Sequence, residues 1–367
     1  KPDFFDIILL REKVHADSIS ATVTITSSTG ESANLSLLVR GFPEKKIRYS
    51  SEIYNAAFDQ AGNRLILLSA SNSAKILDIY DLATDKFTHL TLPGDGTLLS
   101  VSPDGTYAVT NTNSNTRLTI TNLVQKTVGN TYNVEQFNDV LIATNDKFCY
   151  FFPAYNYYKI DKFNVNTGSF ATYSYGSYFD IDMAVLHPSG KYIYTAAYYE
   201  LSKFNITGSD PTLVYANSGA ITDDKIWIAR DGAKIITAGR KVLFINPELP
   251  QNDITGTGTI SIGQNYIYAF DQNLAHNEFY VIPSNSSYGT DYQSNQILVL
   301  NSNLAQVRSI LLEPFYVSGY SGQGYTTEDA YGQYVFSSSD GSKIIVISKS
   351  SGYYSTSWGI EIIDRTW

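Results

Sequence analysis

The chain has 367 residues, of which 14% are aromatic and only 17% are charged. This composition excludes a disordered chain, which lacks aromatic residues, and a helical bundle or coiled coil, which is rich in Glu, Lys and Arg. With 35 acidic and 26 basic residues the net charge is −9, so we expect no sequence-independent binding to nucleic acid. The apolar runs are much shorter than the roughly 20 residues that cross a bilayer, and we expect no membrane insertion in this segment.

The sequence pattern of residues 1–43 differs from that of the rest of the chain. The Thr-rich run 20–27 and the run 34–40 flank a Ser-Thr-Gly-Glu turn, which predicts a β-hairpin. This hairpin resembles the C-terminal half of a bacterial immunoglobulin-like module of the BACON type, found before binding or catalytic domains in secreted Bacteroidetes proteins. A segment of about 40 residues buries too small a core to fold alone. We therefore predict a partial immunoglobulin-like β segment over 1–43.

Residue 44 begins a repeat. A short β-type run recurs seven times, and its last residues are Asp81, Asn122, Asn164, Asn205, Asn246, Asn301 and Asp364. These residues lie 41, 42, 41, 41, 55 and 63 positions apart. Turn signals such as Ser102-Pro-Asp-Gly105 recur in phase with them, roughly half a period earlier, and Gly supplies the positive φ of a tight hairpin. A period near 42 with alternating apolar residues predicts four strands per unit.

Seven such units predict an all-β protein, a seven-bladed β-propeller of four-stranded antiparallel blades over residues 44–367. After Asp364 only three residues remain, too few for the fourth strand of the last blade. The segment 45–50 lies immediately before the first strand of the first repeat unit, and the segment 86–92 has the same position relative to the second. We predict that 45–50 completes the last blade by pairing with 359–364, which closes the ring and covers its sheet edges.

Two repeat segments carry a family resemblance. His187-Pro-Ser-Gly-Lys-Tyr-Ile-Tyr194 and Ser102-Pro-Asp-Gly-Thr-Tyr-Ala-Val109 resemble the signature of the YVTN and lactonase-like propellers, which belong to a WD40-like superfamily. The resemblance covers roughly residues 45–367. It implies the propeller fold, but its motifs are structural and imply little about activity.

Insertions in the last two blades predict a binding face. In a propeller, the connections from the second to the third strand and from each blade to the next emerge at one end. The insertions 284–294, 315–329 and 350–358 fall in such connections and are rich in Gly, Ser and Tyr. Tyr and Trp provide contact area with a polar tip, as in antibody loops. We predict that a glycan or protein ligand contacts Tyr288, Tyr292, Tyr320, Tyr325, Tyr353, Tyr354, Trp358, Tyr157 and Tyr198. The alternative is that these rings cover one another and bind nothing.

Three consecutive blades place an acidic residue where their first strand begins. These residues are Asp139, Asp182 and Asp224, which we expect near the mouth of the central channel. Converging carboxylates raise one another's pKa or bind a cation. Two possibilities stay open: a solvated acidic funnel with no cofactor, and a Ca²⁺ or Mg²⁺ site.

Catalytic patterns are sparse. No G-x-S-x-G motif is present, and Cys149 lies in an apolar β-type run that predicts a buried thiol. We therefore predict a non-catalytic binding protein that acts as a monomer outside a bacterial cell, at its surface or in its periplasm, with its signal sequence outside this chain. The alternative is a propeller enzyme, lactonase-like or polysaccharide lyase-like, with its site at the central channel.

Overall fold

A computed structural model of the chain describes residues 18–26, 29–40, 46–49, 51–71, 74–112, 115–153, 159–174, 181–197, 200–221, 223, 225–249, 252–263, 266–285, 294–318, 325–352 and 357–367. Within these ranges every regular element is a β-strand. The chain forms two compact units, Lys1–Ile47 and Arg48–Trp367.

The first unit contains the predicted hairpin. Strands β1 (Ser18–Thr26) and β2 (Ser32–Arg40) are antiparallel, with Ser18 opposite Arg40 and Thr26 opposite Ser32. Gly30 has a φ of 85° in the connecting turn, a conformation that glycine adopts without steric cost. The likeness of this hairpin to an immunoglobulin-like module stays a prediction.

The described residues of the second unit form seven four-stranded antiparallel sheets. Blade one contains β4 (Glu52–Asp59), β5 (Arg64–Ser71), β6 (Ala74–Asp81) and β7 (Lys86–Leu92). Blade two contains β8 (Leu99–Val101), β9 (Tyr107–Thr112), β10 (Arg117–Asn122) and β11 (Thr127–Asn133). Blade three contains β12 (Phe137–Ala143), β13 (Phe148–Pro153), β14 (Lys159–Asn164) and β15 (Phe170–Ser174). Blade four contains β16 (Met183–Leu186), β17 (Tyr192–Ala197), β18 (Glu200–Asn205) and β19 (Thr212–Ser218).

The remaining blades follow the same order. Blade five contains β20 (Ile226–Ile228), β21 (Lys234–Thr237), β22 (Lys241–Ile245) and β23 (Ile254–Thr259). Blade six contains β24 (Tyr266–Asn273), β25 (Glu278–Ser284), β26 (Gln296–Leu300) and β27 (Gln306–Leu311). A separate hairpin, β28 (Phe315–Ser318) with β29 (Tyr325–Glu328), precedes β30 (Ala330–Ser337), β31 (Lys343–Ser350) and β32 (Trp358–Asp364) of blade seven. The predicted seven-bladed β-propeller is confirmed.

Blade seven takes its outer strand from the other end of the propeller sequence. Strand β3 (Lys46–Tyr49) neighbours β32, in the sheet order β3–β32–β31–β30. The Tyr49 hydroxyl donates a hydrogen bond to Ser69 Oγ in blade one at 3.0 Å. The Tyr49 ring centroid lies 6.2 Å from that of Phe87 in the same blade. The strand therefore completes the last blade as predicted and also contacts the first.

The core is divided into layers between neighbouring blades. Ile236 of blade five packs in one cluster with Phe270 and Val281 of blade six. The middle strands have their two faces covered by the two adjacent blades, and all six residues of β9 are buried. The outer strand β11, in contrast, has no buried residue. Each blade therefore depends on both neighbours for the burial of its apolar faces.

One set of polar contacts between blades lies at the end where the first strand turns into the second. Arg64 donates to Asp59 in its own blade and to the carbonyl oxygens of Gly105, at 2.9 Å, and Leu123, at 2.6 Å, in blade two. Gly105 has a φ of 66°, and a Cβ there would lie 2.3 Å from a carboxylate oxygen of Asp59. The glycine of this turn thus allows both the turn conformation and the close approach of the neighbouring blade.

A buried ion pair joins blades four and five. Lys203 Nζ lies 3.0 Å from Asp253 Oδ2, and the two side chains are 1% and 0% exposed. Asp253 also accepts hydrogen bonds from the hydroxyls of Tyr194 and Tyr215, the latter at 2.6 Å. Lys203 donates a further bond to the Pro247 carbonyl oxygen at 2.6 Å. The two charges are therefore compensated at a site that water does not reach.

Removal of β3 tests the closure of the ring. A chain that begins at residue 50 leaves β32 as an exposed edge, whereas a chain that begins at residue 44 keeps β3. Both lack residues 1–43, so the comparison isolates the strand. We expect the shorter chain to melt lower by more than about 5 °C, measured by circular dichroism. Equal melting temperatures would contradict a role of β3 in closure.

The Lys203–Asp253 pair predicts a large effect of a single substitution. Lys203→Met leaves the Asp253 carboxylate buried without its cation, and we expect a loss of about 3 kcal/mol in the free energy of unfolding. The matched control is Lys191→Met, which breaks a solvent-exposed pair with Glu248 in the same two blades and should leave stability unchanged. Urea denaturation measures both variants, and a similar effect of the two would contradict the prediction.

His187 predicts a pH dependence of stability. Its Nε2–H donates to the Gly232 carbonyl oxygen at 3.0 Å, and its Nδ1 accepts from the Ser189 N–H at 3.1 Å. Burial lowers the pKa of His187 and outweighs the bond to Gly232, so the folded protein holds the ring neutral. The unfolded chain binds a proton near pH 6.5, so acid favours the unfolded state.

The contribution of His187 is therefore complete above pH 7 and is lost as the pH falls below about 6.5. We expect the difference in unfolding free energy between the wild type and His187→Gln to shrink over this interval, as measured by denaturation at successive pH values. A difference that is independent of pH would show that His187 does not remain neutral in the folded state.

Candidate functional site

The connections that carry the three insertions join strand ends on one side of blades six and seven. We call this side the loop face, defined by the connections β25 to β26, β28 to β29 and β31 to β32. Described residues at the ends of these connections touch each other. The Ser294 carbonyl oxygen accepts a hydrogen bond from the Gly332 N–H at 3.2 Å, and Ser351 N–H donates to the Asp329 carbonyl oxygen at 2.9 Å. The flanks of the three insertions therefore meet in one sector.

Most of the predicted ligand-binding residues lie outside the described residues. These are Tyr288, Tyr292, Tyr320, Tyr353, Tyr354, Tyr157 and Tyr198. Tyr325 begins β29 opposite Ser318, and its side chain lies outside the description. Trp358 begins β32 opposite Lys349 and is only 7% exposed, so it belongs to a strand rather than to a loop. Contact of these residues with a ligand stays a prediction.

Two buried polar atoms lie at the base of the loop face. Among the described residues, neither Nε1 of Trp358 nor Oε2 of Glu328 has a hydrogen-bond partner. Glu328 packs closely on Gly352, where a Cβ would lie 2.3 Å from either carboxylate oxygen. A buried polar atom without a partner costs free energy, and such atoms concentrate where a ligand or functional group acts. Sequence reasoning missed Glu328, which has no pattern of its own.

The structure describes only part of the predicted acidic cluster. Asp182 immediately precedes β16, is exposed, and donates its N–H to the Ala196 carbonyl oxygen at 3.1 Å. Asp224 and the side chain of Asp139 lie outside the described residues. No group of three potential metal ligands occurs in the part of the chain that is described. A Ca²⁺ or Mg²⁺ site at the channel mouth therefore stays a prediction.

A lysine and two aromatic residues meet on the first strands of blades five and six. Lys225 Nζ donates to the Tyr268 carbonyl oxygen at 2.7 Å and lies 5.1 Å from the Trp227 ring centroid. Loss of hydration among the surrounding protein atoms lowers the pKa of Lys225 to about 8. The Tyr268 hydroxyl donates to Gln333 Oε1 of blade seven at 3.0 Å. The sequence did not single out Lys225, because its hydrogen-bond acceptor, the Tyr268 carbonyl oxygen, comes from a different blade.

Lys225 and Asp271 are described groups that bear on the alternative of a channel enzyme: burial raises the pKa of Asp271, and its carboxylate pairs with Arg230. That alternative requires a titratable group with a shifted pKa beside a His, Arg or Glu. The described contacts of Lys225 are with Trp227 and Tyr268. Cys149 lies in β13, is fully buried, and has a pKa raised by burial, as expected for a structural thiol.

A cleft lies between blades two and three at the end opposite the loop face. Its volume is about 540 Å³, and it is lined by the turns and outer strand of blade two and by Lys147 and Val165 of blade three. Lys147 Nζ lies 3.2 Å from Asp104 and 4.8 Å from the Tyr107 ring centroid. The sequence did not predict this cleft, because its walls come from residues that look like ordinary turn residues.

Comparison with known proteins identifies the fold. No family model matches the sequence, and no curated protein sequence is similar to it. Among solved structures, the Cps50 (Swd1) β-propeller domain of Myceliophteria thermophila is 12% identical and matches with a TM-score of 0.61 over 88% of this chain and 99% of that one. A chain of the mitotic checkpoint complex is 12% identical, with a TM-score of 0.58 over 88% and 91%. A chain of Kuenenia stuttgartiensis hydrazine synthase is 13% identical, with a TM-score of 0.54 over 89% and 99%.

These likenesses agree with the β-propeller fold that the seven four-stranded sheets define. At such low identity they show the fold and not the function. Membership of the YVTN and lactonase-like group stays a prediction. The described residues contain no helix of the length and hydrophobicity needed to span a membrane.

Proposed function

We propose that the protein is a non-catalytic binding protein that holds a glycan or a protein ligand at its loop face. The main support for this proposal is that the flanks of the three insertions contact one another in blades six and seven. The contacts are the hydrogen bonds from Gly332 N–H to the Ser294 carbonyl oxygen and from Ser351 N–H to the Asp329 carbonyl oxygen. The insertions are rich in Tyr among Gly and Ser, and we expect their Tyr side chains in the same sector. Such residues give contact area at low entropic cost.

Two buried polar atoms border the insertions. The Nε1 of Trp358 is a donor without a described acceptor, and Oε2 of Glu328 is an acceptor without a described donor. A hydroxyl or amide group could satisfy either atom, whether it belongs to a ligand or to the polar residues of the insertions. We therefore expect polar contacts at the base of the loop face.

We further propose that the protein acts as a monomer outside a bacterial cell. The support is the resemblance of the N-terminal hairpin to modules of secreted Bacteroidetes proteins. The ligand-binding role and the location are separate proposals, and the experiment below addresses only binding.

Aromatic substitutions on the loop face test the proposal. We expect the wild type to bind a subset of an array of neutral and acidic glycans, and Tyr353→Ala with Tyr354→Ala to weaken the binding of some of these glycans at least tenfold. The matched control removes two aromatic rings from the outer strand of blade three, Phe170→Ala with Tyr173→Ala, and should bind as the wild type does. Equal loss in both double variants would overturn the assignment to the loop face.

If no glycan on the array binds, the ligand that remains to be tested is a protein. A photo-crosslinking phenylalanine at position 353 should then capture a defined protein that the same probe at position 170 does not capture. Failure of both the array and the site-specific capture would overturn the proposed function.

A further inference from the structure

We propose that the cleft between blades two and three is a second binding site, specific for a neutral saccharide. We call it the blade 2–3 cleft, lined by Asn122, Val124, Gly129, Asn130, Tyr132 and Lys147 among others. Its volume of about 540 Å³ lies within the range of small-molecule sites, roughly 300–1,000 Å³. The site lies at the opposite end of the blades from the loop face, so this inference does not rest on the proposed function.

The concave shape comes from a β-bulge in the outer strand of blade two. Thr119 of β10 pairs with Thr131 of β11, and Thr121 pairs with Val128, so Gly129 and Asn130 together oppose Ile120. A Cβ at Gly129 would lie 2.9 Å from the Ile120 carbonyl oxygen, closer than the backbone allows. Bulges redirect side chains at sheet edges, and glycine here leaves space where other residues would fill it.

The rim of the cleft carries an exposed apolar side chain at a turn position that holds a polar residue or Ala in the other blades. Val124 is 66% exposed, in the turn between the third and fourth strands. The corresponding position, two residues after each repeat-ending Asp or Asn, holds Ala83, Asn166, Thr207, Glu248, Asn303 and Thr366. Every other blade therefore has a polar residue or Ala at this position. An exposed valine has no role in the turn itself, whereas it could pack on the apolar face of a ligand.

The walls of the cleft offer both donors and acceptors. Asn122 Oδ1 accepts the backbone N–H groups of Val124 and Gln125, at 3.0 and 2.8 Å, so its amide NH₂ remains as a donor. Asn130 Nδ2 donates to the Tyr132 hydroxyl oxygen at 3.1 Å, so Asn130 Oδ1 remains as an acceptor and the hydroxyl as a donor. Hydroxyl groups of a sugar both donate and accept, and they match this mixed set.

The charge of the site favours a neutral ligand. Among the described residues that line the cleft there is no Asp or Glu, and Lys147 is the one cationic side chain. Asp104 pairs with that ammonium at 3.2 Å, and the Thr106 hydroxyl also accepts a bond from it. The cation is thus compensated within the protein and does not require an anionic ligand. An aromatic ring, aliphatic side chains and neutral amides together suit a saccharide ring, with one apolar face and polar edges.

Titration of the whole chain with neutral sugars tests this inference. The probes are hexoses, N-acetylhexosamines and their di- to tetrasaccharides, followed by saturation-transfer NMR and calorimetry. We expect binding by the wild type and an increase in Kd of at least tenfold in Val124→Asp. We expect Tyr132→Phe, which keeps the ring packed on Phe163, to raise Kd about five- to tenfold through the loss of one hydrogen bond.

Matched controls come from the repeat. Ala83→Asp adds the same charge at the equivalent turn of blade one, and Tyr173→Phe removes the hydroxyl at the equivalent position of blade three. Both should bind sugar as the wild type does. The loop-face variant Tyr353→Ala with Tyr354→Ala should also leave this binding unchanged, so that failure of one proposal can be told from failure of the other. No binding at millimolar sugar, or equal effects of Val124→Asp and Ala83→Asp, would overturn the inference.

Discussion

Every blade of this protein has two apolar faces, and both must be covered by neighbouring blades. The buried middle strands, such as β9 and β31, cannot tolerate water on either side. An open row of such sheets exposes the apolar faces of its first and last members, and closure of the ring covers both. Ring closure by β3 is therefore the constraint on which the other features depend.

The polar contacts between blades follow from this constraint. Blades that pack through apolar layers still have backbone carbonyl groups and charged side chains at their ends, which need partners. Arg64 satisfies the carbonyl oxygens of Gly105 and Leu123, and Lys203 pairs with Asp253. These contacts fix how one blade meets the next, since a shift of either blade would leave buried polar atoms without partners.

The two ends of the propeller are built differently. One end holds short turns whose glycines and polar side chains join neighbouring blades, as His187 joins Gly232. The other end holds connections of variable length, which can accept insertions because they leave the sheets unchanged. The blade 2–3 cleft shows that the turn end can also vary between blades: blade two combines an outer-strand bulge at Gly129, of a kind that blades four, five and six share, with an exposed Val124.

The sequence by itself determined the number of blades, their strand order and the closing strand. The reason is that each blade is a local unit, and its turn glycines and its repeat-ending residues such as Asp81 and Asn122 recur at fixed spacing. Only the tertiary structure decided which side chains meet across blades. Lys203 and Asp253 lie in different blades, and Lys225 meets Tyr268 through the packing of two neighbouring blades. Such contacts have no local sequence pattern, because they depend on the rotation of one sheet against the next.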